Sequence, residues 1–209
     1  MKRLYILTLL FLIFVFPSKG QIADWGRILP GYGMLTTVVP FDFLDNAKLQ
    51  TIGNDVVIAK TFADSVKFGN RTLTCTDSVS RNLVKSGSDI YLAKYSDTGA
   101  PVWIRHIYSK SKDKLTDMTV DSNSNIYISG FFHETLNIDA IQVKANSSSE
   151  NHFIAKFNAA GSLLWVRLNG SFGNCRLATD NAGNLYVATY FIDSLKIYST
   201  TYISNGSSD

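Results

Sequence analysis

Three tryptophans, each followed two residues later by an arginine, are the side chains of this sequence with the most visible chemical potential. They stand in the segments Trp25–Arg27, Trp103–Arg105 and Trp165–Arg167. Lining one pocket, three indoles could stack on the rings of a bound sugar. Alternatively, one large aromatic side chain per repeating unit fills the space between neighbouring sheets, where its burial stabilises the fold. Because the pattern recurs at the same place in each copy, we favour the structural interpretation.

A second polar group resembles the start of a calcium-binding loop. Asp121, Asn123 and Asn125 alternate along the chain as the first oxygen ligands of such a loop do. Ile126 and Phe132, however, occupy the positions where the loop needs a glycine and a bidentate glutamate. Turn residues whose side chains bond the local backbone explain the segment better.

The remaining ionisable residues lack the spacing of a catalytic or metal site. His106, His133 and His152 are the three histidines of the chain, and they fall at unrelated places. Nothing fixes an acidic pair such as Asp42 and Asp45 at the ~5–10 Å separation that glycoside hydrolysis needs. The sequence contains no nucleophile elbow, glycine-rich phosphate loop or Cys-x-x-Cys. We therefore predict no catalytic set, no metal site and no cofactor.

The elements that position these residues form an internal repeat. Residues 90–105 align without a gap on residues 152–167: each has a strand with an Ala-Lys pair, a glycine turn and a tryptophan strand. An Asp-x-x-x-Asn-x-Tyr hairpin follows in both copies, at residues 121–127 and again at residues 180–186. The spacing between successive tryptophans is 78 and then 62 residues, which predicts stacked supersecondary units.

Each copy predicts four short antiparallel strands separated by Gly, Asn and Asp turns. A connector that reads as a short edge strand follows the fourth strand in each copy. The predicted strands are 90–95, 102–107, 115–120 and 125–132, then 153–157, 163–168, 176–179 and 184–191, with connectors at 62–68, 132–138 and 191–197. Four-stranded units of this kind indicate an all-β fold of β-propeller blades.

These motifs together resemble the bacterial β-propeller repeat called the SBBP repeat. The resemblance covers nearly all of residues 21–209 in about three copies, the first of them divergent. It implies an extracytoplasmic protein, often multidomain and displayed at the cell surface, and it implies no particular activity. The repeat positions that carry it are Trp25, Trp103, Trp165, Ala93, Ala155, Gly99, Gly161, Asp121, Asp180, Tyr127 and Tyr186.

Residues 1–20 predict a secretory signal peptide. A positive pair at residues 2–3 precedes the apolar run 4–16, and the small residues of 18–20 suit cleavage before Gln21. Thirteen helical residues span roughly 20 Å, less than the ~30 Å hydrocarbon core of a bilayer. We therefore expect a secreted or cell-surface protein that is not inserted in the membrane after cleavage.

Net charge and cysteine content limit further which partners and which cellular compartment we expect. The chain has 20 basic and 17 acidic residues, and three of the basic ones lie in the leader, so the remainder is neutral. A neutral remainder gives no reason to expect nucleic acid as a partner. Cys75 and Cys175, the two cysteines, could form one disulfide in an exported protein or stay as two semi-buried thiols.

Residues 21–209 are expected to form about three blades, whereas a closed propeller has 4–8. The chain enters at a tryptophan strand, and residues 204–209 resemble the lead-in 86–89 to another Ala-Lys strand. We therefore expect the remaining blades of a longer chain, or self-association, to cover the open edges.

The predicted function is a non-enzymatic interaction, adhesion or scaffolding module that binds a protein or glycan at the cell exterior. Ligand specificity is expected in the two insertions of the first copy, 35–49 and 74–81, because binding usually resides in variable loops on a rigid scaffold. Two alternatives stay open. One is part of an enzyme acting on extracellular polysaccharide, by analogy of fold. The other is a structural spacer in a larger surface protein.

Overall fold

The computed structural model describes residues 47–63, 65–76, 87–145, 150–168, 173–191, 194–197 and 200–205 of the 209-residue chain. The predicted leader, Trp25, and the greater part of both insertions lie outside these ranges. Within them the chain forms sixteen β-strands. No helix of this part is long and apolar enough to cross a membrane.

The strands are short, and all their pairings are antiparallel. They are β1 (Lys48–Ile52), β2 (Asp55–Phe62), β3 (Ser65–Phe68), β4 (Arg71–Thr74), β5 (Asp89–Tyr95), β6 (Pro101–Tyr108), β7 (Lys114–Val120), β8 (Ile126–His133), β9 (Thr135–Ile138), β10 (Ile141–Lys144), β11 (Glu150–Phe157), β12 (Leu163–Leu168), β13 (Arg176–Thr179), β14 (Leu185–Ala188), β15 (Ser194–Ile197) and β16 (Thr200–Ile203). The predicted all-β architecture of short antiparallel strands is confirmed.

Two four-stranded meanders dominate the structure. The first sheet has the order β1-β2-β5-β6, and the second sheet has the order β12-β11-β8-β7. In each, the chain leaves after the second strand to form a hairpin, β3–β4 or β9–β10, and then returns as the third strand. The third unit has the first two strands, β13–β14, and the hairpin β15–β16.

The hairpin of the second unit extends the first sheet. Strand β9 pairs with β6 through Ile107 opposite Ile138 and Tyr108 opposite Asn137, so β9 and β10 complete a six-stranded sheet. The connector predicted as one short strand is thus the first half of a hairpin. Its alternation explains the fold: in β3, Val66 and Phe68 are buried while Lys67 is exposed.

The sheets begin two strands later than the sequence repeat suggested. The sequence copies start at the Ala-Lys strands, but β5 and β6 close the first sheet, and the next sheet starts at β7. The physical reason lies in the linker between them. Asp113 accepts hydrogen bonds from the Ser109 backbone N–H (2.6 Å) and hydroxyl (2.5 Å), and this loop carries the chain to the next sheet.

The main core lies between the two sheets. The inner strands are buried on both faces, as successive residues such as Val57 and Ile58 show. Phe132 and Phe153 meet edge to face with ring centroids 6.1 Å apart. A Cβ at Gly130 of β8 would lie 2.6 Å from the Lys114 carbonyl oxygen, so this strand position requires glycine. The other residues of this core include Ala59, Ile90, Leu92, Ile107, Leu115, Met118, Ile126, Ile128, Leu136, Ile138, Ala155 and Phe157.

Candidate functional site

One set of repeat residues joins the first sheet to the second. The indole N–H of Trp103 donates to the Ala159 carbonyl at 3.2 Å, and the Arg105 Nε donates to the Gly161 carbonyl at 2.6 Å. The guanidinium of Arg105 lies 5.5 Å from the centroid of the Trp103 ring. A Cβ at Gly161 would come within 2.8 Å of Trp103 Cδ2. The ring of Trp103 therefore packs against the turn between β11 and β12 and forms a contact between the two sheets.

The third tryptophan lies in a similar local setting. Trp165 is partly buried against Tyr127, with ring centroids 6.0 Å apart, and packs on a small cluster with Ile154 and Leu177. The guanidinium of Arg167 lies 5.6 Å from the Trp165 ring centroid. This cluster joins the second sheet to the third unit.

The Asp-x-x-x-Asn-x-Tyr motif is a turn held by one carboxylate, in agreement with the turn interpretation. Asp121 Oδ1 accepts the backbone N–H groups of Asn123 (2.9 Å) and Asn125 (2.8 Å), and Oδ2 accepts the Tyr127 hydroxyl at 3.0 Å. Burial raises the pKa of Asp121, but hydrogen bonds from Asn125, Tyr127 and Asn123 outweigh it, and the net pKa is lowered. Among the described residues no group of three or more His, Cys, Asp or Glu is placed to hold a metal ion.

The lysines of the Ala-Lys strands are bound rather than solvated. Lys94 Nζ lies 2.8 Å from Asp55, and Lys156 Nζ lies 3.7 Å from Asp121. The neighbouring Ala93 and Ala155 are fully buried between strands. Each of these lysines thus lies beside a carboxylate of the neighbouring hairpin, Asp55 for Lys94 and Asp121 for Lys156.

A polar cluster of the first sheet does not follow the repeat. Asp89 of β5 is fully buried, and its Oδ2 lies 2.7 Å from His106 Nε2 on β6. The Thr76 backbone N–H donates to Oδ2 at 2.9 Å, and the Cys75 thiol donates to Oδ1 at 3.3 Å. One carboxylate thus ties together β5, β6 and the segment after β4.

His106 forms one wall of a cleft of about 420 Å³ lined by Arg71, His106, Tyr108, Asp139 and Ala140. The His106 and Tyr108 rings stack at 4.6 Å between centroids. Asp139 closes the other side, where its backbone N–H donates to the His106 carbonyl at 3.1 Å and its carboxylate meets Arg105 at 3.4 Å. We call this the Asp89–His106 cleft.

The strand pairing explains how this cleft forms. Arg71 comes from hairpin β3–β4, the two aromatic residues from β6, and Asp139 from the turn of hairpin β9–β10. Pairing of β6 with β9 brings that turn alongside β6. The cleft therefore combines three elements that are distant in sequence.

The cleft presents side chains that can donate and accept hydrogen bonds. Its surface offers a guanidinium, an imidazole, a phenol and a carboxylate. The Cys75 thiol bonds to Asp89 and not to His106, so the arrangement of a thiol activated by an imidazole base is not formed.

The two cysteines occupy separate buried positions. Cys75 belongs to the cluster beneath β3–β4, whereas the Cys175 sulfur lies 3.9 Å from His152 Nδ1. Burial raises the pKa of Cys175 despite a hydrogen bond from Thr189, and a coulombic contribution from Asp117 raises it further. In this structure the two sulfurs are not joined by a disulfide, and both thiols are buried.

The sequence named His106 only as one of three scattered histidines and did not predict this cluster. A signal for it exists in the differences between aligned copies: Asp89 corresponds to Asn151, and His106 to Leu168. Repeated residues build the sheets, so residues that depart from the repeat are candidates for a separate role. The alignment alone did not show that these departures converge in space.

The fold and the contacts between sheets define an all-β repeat protein of propeller-type blades. Over 144 residues the chain is 28% identical to a protein of Acanthamoeba polyphaga mimivirus described as the uncharacterized WD repeat-containing protein L264. The match covers 64% of this chain and 10% of that protein, so the chain spans about a tenth of the length of this curated relative. No protein-family model matches the chain. WD repeats form four-stranded propeller blades, in keeping with the sheets described above.

Proposed function

We propose that the protein is a non-catalytic interaction module that acts at the cell exterior in adhesion or scaffolding, and that the Asp89–His106 cleft contacts its ligand. The observation that carries this proposal is that the repeated residues and the residues of the cleft have different positions and contacts. Repeated residues such as Trp103 and Gly161 join the sheets, while the cleft consists of residues outside the repeat pattern. Such departures on a rigid scaffold are where binding specificity usually resides.

Export and the kind of partner are parts of this proposal. The predicted leader at 1–20 supports a secreted or surface location. The bacterial repeat that the sequence resembles is extracytoplasmic, and the WD repeat-containing relative favours a protein partner. A glycan is the alternative, because the Tyr108 ring and the charged groups beside it could also contact a sugar.

Binding is favoured over catalysis by how the buried carboxylate is used. Asp89 already accepts four kinds of donor, from His106, Cys75 and both the backbone and hydroxyl of Thr76. A carboxylate so engaged positions the imidazole and the strands around it. The polysaccharide-acting enzyme rests on analogy of fold alone.

The test screens the full chain without its leader against a displayed random-peptide library and a printed glycan array. Binders are then titrated with Arg71→Ala and Tyr108→Ala variants, which we expect to lose at least ten-fold in affinity, as central interface residues do. Lys67→Ala is the matched control, since this exposed cation lies on the same hairpin and outside the cleft lining.

Two outcomes would contradict the proposal. Retention of full affinity by both cleft variants would place the binding site elsewhere. Failure to find any saturable ligand in either screen would favour the structural-spacer alternative.

A further inference from the structure

We propose that the outer edge of β14 binds an extended strand of apolar-Ala-Lys-aromatic sequence, supplied by a repeat unit of the same kind from outside the described residues. The incoming strand would run antiparallel to β14, with its lysine against Asp180 and Tyr186. This strand-binding edge is separate from the Asp89–His106 cleft and does not depend on the function proposed for it.

The second sheet shows what such a strand contacts. Lys156 of β11 stands opposite Tyr127 of β8. Its Nζ lies 3.7 Å from Asp121 Oδ2 and 4.8 Å from the centroid of the Tyr127 ring. The lysine is therefore bound both by a carboxylate and by an aromatic face.

The first sheet repeats the electrostatic part of this arrangement. Lys94 of β5 stands opposite Val57, and its Nζ lies 2.8 Å from the Asp55 carboxylate. In both sheets, a carboxylate at or before the start of the neighbouring strand binds the lysine of the Ala-Lys strand. The carboxylates come from different positions of the hairpin, six residues before the partner of the lysine in the second sheet and two before it in the first, but both neutralise the lysine.

The third unit contains the same acceptor. Asp180 Oδ1 accepts the backbone N–H groups of Ala182 (3.0 Å) and Asn184 (2.8 Å), and Oδ2 accepts the Tyr186 hydroxyl at 2.9 Å. This geometry matches the Asp121 turn bond for bond. The difference is exposure, since Tyr186 is 57% exposed whereas Tyr127 is 2% exposed.

The backbone beside this acceptor is open to pairing. Among the described strands, β14 pairs with β13 and with no other. Val187 is also exposed, at 38%. A strand edge with unpaired amide and carbonyl groups is a template for strand addition, in which main-chain bonds give affinity and side chains give specificity.

The internal copies also fix the expected register. Lys156 stands opposite Tyr127, and Ala155 opposite Ile128. By correspondence, the incoming lysine would stand opposite Tyr186 and the alanine before it opposite Val187. A shift by one residue would turn the lysine to the other face of the strand, away from Asp180.

A second copy of this chain is the less favourable source of such a strand. Strands β5 and β11 have the required sequence, but each is already paired on both sides within its own sheet. Donating either strand would unfold that sheet. An unpaired repeat strand from elsewhere meets no such cost.

The experiment uses the chain without its leader and a labelled, end-blocked peptide with the eight-residue sequence of β11, Glu150–Phe157. A second peptide has the Lys156→Ala substitution. In anisotropy titrations we expect the lysine peptide to bind about ten-fold more tightly, from the ion pair and the aromatic contact together. Hydrogen exchange should show new protection at amides 185–188.

Protein variants locate the effect. Asp180→Asn should bring both peptides to the same affinity, while Asp97→Asn, at an exposed carboxylate on the first sheet, should keep the ten-fold preference. Equal binding of both peptides by the unmodified protein would overturn the proposal, as would absence of binding. Protection of β8 in place of β14 would mean displacement of β11 and would also overturn it. Self-association of the protein alone that protects 185–188 would assign this edge to a second copy.

Discussion

At the scale of single residues, Gly161 meets two demands that no other amino acid satisfies together. Its φ of 76° lies in the left-handed region, and the Trp103 ring leaves no room for a Cβ. Gly161→Ala should therefore destabilise the protein by about 2–4 kcal/mol, from backbone strain and overpacking combined. Urea-induced unfolding followed by tryptophan fluorescence measures the loss.

The matched control for this substitution is Gly53→Ala. Gly53 has a φ of 60° and no atom within 4 Å of where its Cβ would lie. It should therefore show the backbone cost alone, about 1–2 kcal/mol. Equal losses for the two variants would mean that the contact with Trp103 contributes nothing.

We expect His152 to make the stability of the protein depend on pH. Burial lowers the pKa of its imidazole from 6.5 to about 4. Between pH 6.5 and pH 4 the unfolded chain therefore binds a proton at this imidazole and the folded chain does not. The contribution of neutral His152 to the free energy of unfolding is fully present above pH 6.5 and is lost as the pH falls toward 4. Between pH 7 and pH 5 we expect the free energy of unfolding to fall by about 2 kcal/mol.

The measurement is a set of urea titrations at pH 7, 6 and 5 on the unmodified protein and on a His152→Gln variant. The variant is expected to lose most of this pH dependence, whatever its stability at pH 7. A slope that persists in the variant would assign the proton uptake to a different group.

At the scale of elements, the turn between β7 and β8 contains a backbone conformation that is unfavourable for its residue, and side-chain hydrogen bonds stabilise it. Ser124 has a φ of 61°, and the corresponding residue of the next copy is Gly183, with a φ of 82°. The Asp121 hydrogen bonds keep the serine in this unfavourable conformation. Ser124→Gly should therefore stabilise the protein by about 1 kcal/mol.

Thermal unfolding checks this prediction, with Ser122→Gly as the control because that exposed residue of the same turn lies outside the left-handed region. The control is expected to be neutral or destabilising. A stabilisation of equal size in both variants would mean that the left-handed conformation of Ser124 is not its source.

The strands were largely predictable, whereas their grouping into sheets was not. The Ala-Lys strands and the Asp-x-x-x-Asn-x-Tyr hairpins repeat visibly, and turns such as 96–100 have the residue types that such turns require. A periodic pattern, however, has no marked beginning, so it does not show where one sheet ends. That boundary is set by the buried bonds between Ser109 and Asp113, two residues that read as an ordinary polar linker.

At the scale of the whole molecule, the cleft is the feature that sequence analysis could least foresee. Arg71, Tyr108 and Asp139 lie on three different elements, and only the pairing of β6 with β9 makes them neighbours. Contacts of this kind depend on long-range strand pairing, which no local pattern specifies. Non-equivalence of the copies nevertheless gave a usable hint, since Asp89 and His106 have no like residue at the aligned positions.

The oxidation state of the two cysteines after export is a test of the fold, because their burial and the predicted oxidising compartment favour different states. An exported protein meets oxidising conditions, in which paired cysteines become disulfides. Cys75 and Cys175 are 3% and 0% exposed and lie in different surroundings, so we expect both to remain thiols after export. The exported product should have the mass of a chain beginning at Gln21, with no adduct after treatment of the native protein with iodoacetamide.

Unfolding in the absence of a reductant should then allow two adducts to form. The reason is that burial away from solvent, and not pairing in a disulfide, protects the thiols in the folded protein. Burial also raises the pKa of Cys175 and keeps it protonated. Cys75→Ser, which can still donate to Asp89, should retain the cleft, whereas Cys75→Ala removes this donor. If alkylation of the unfolded protein requires a reductant, a disulfide links the two sites, and the segments around 75 and 175 must lie together in the exported molecule.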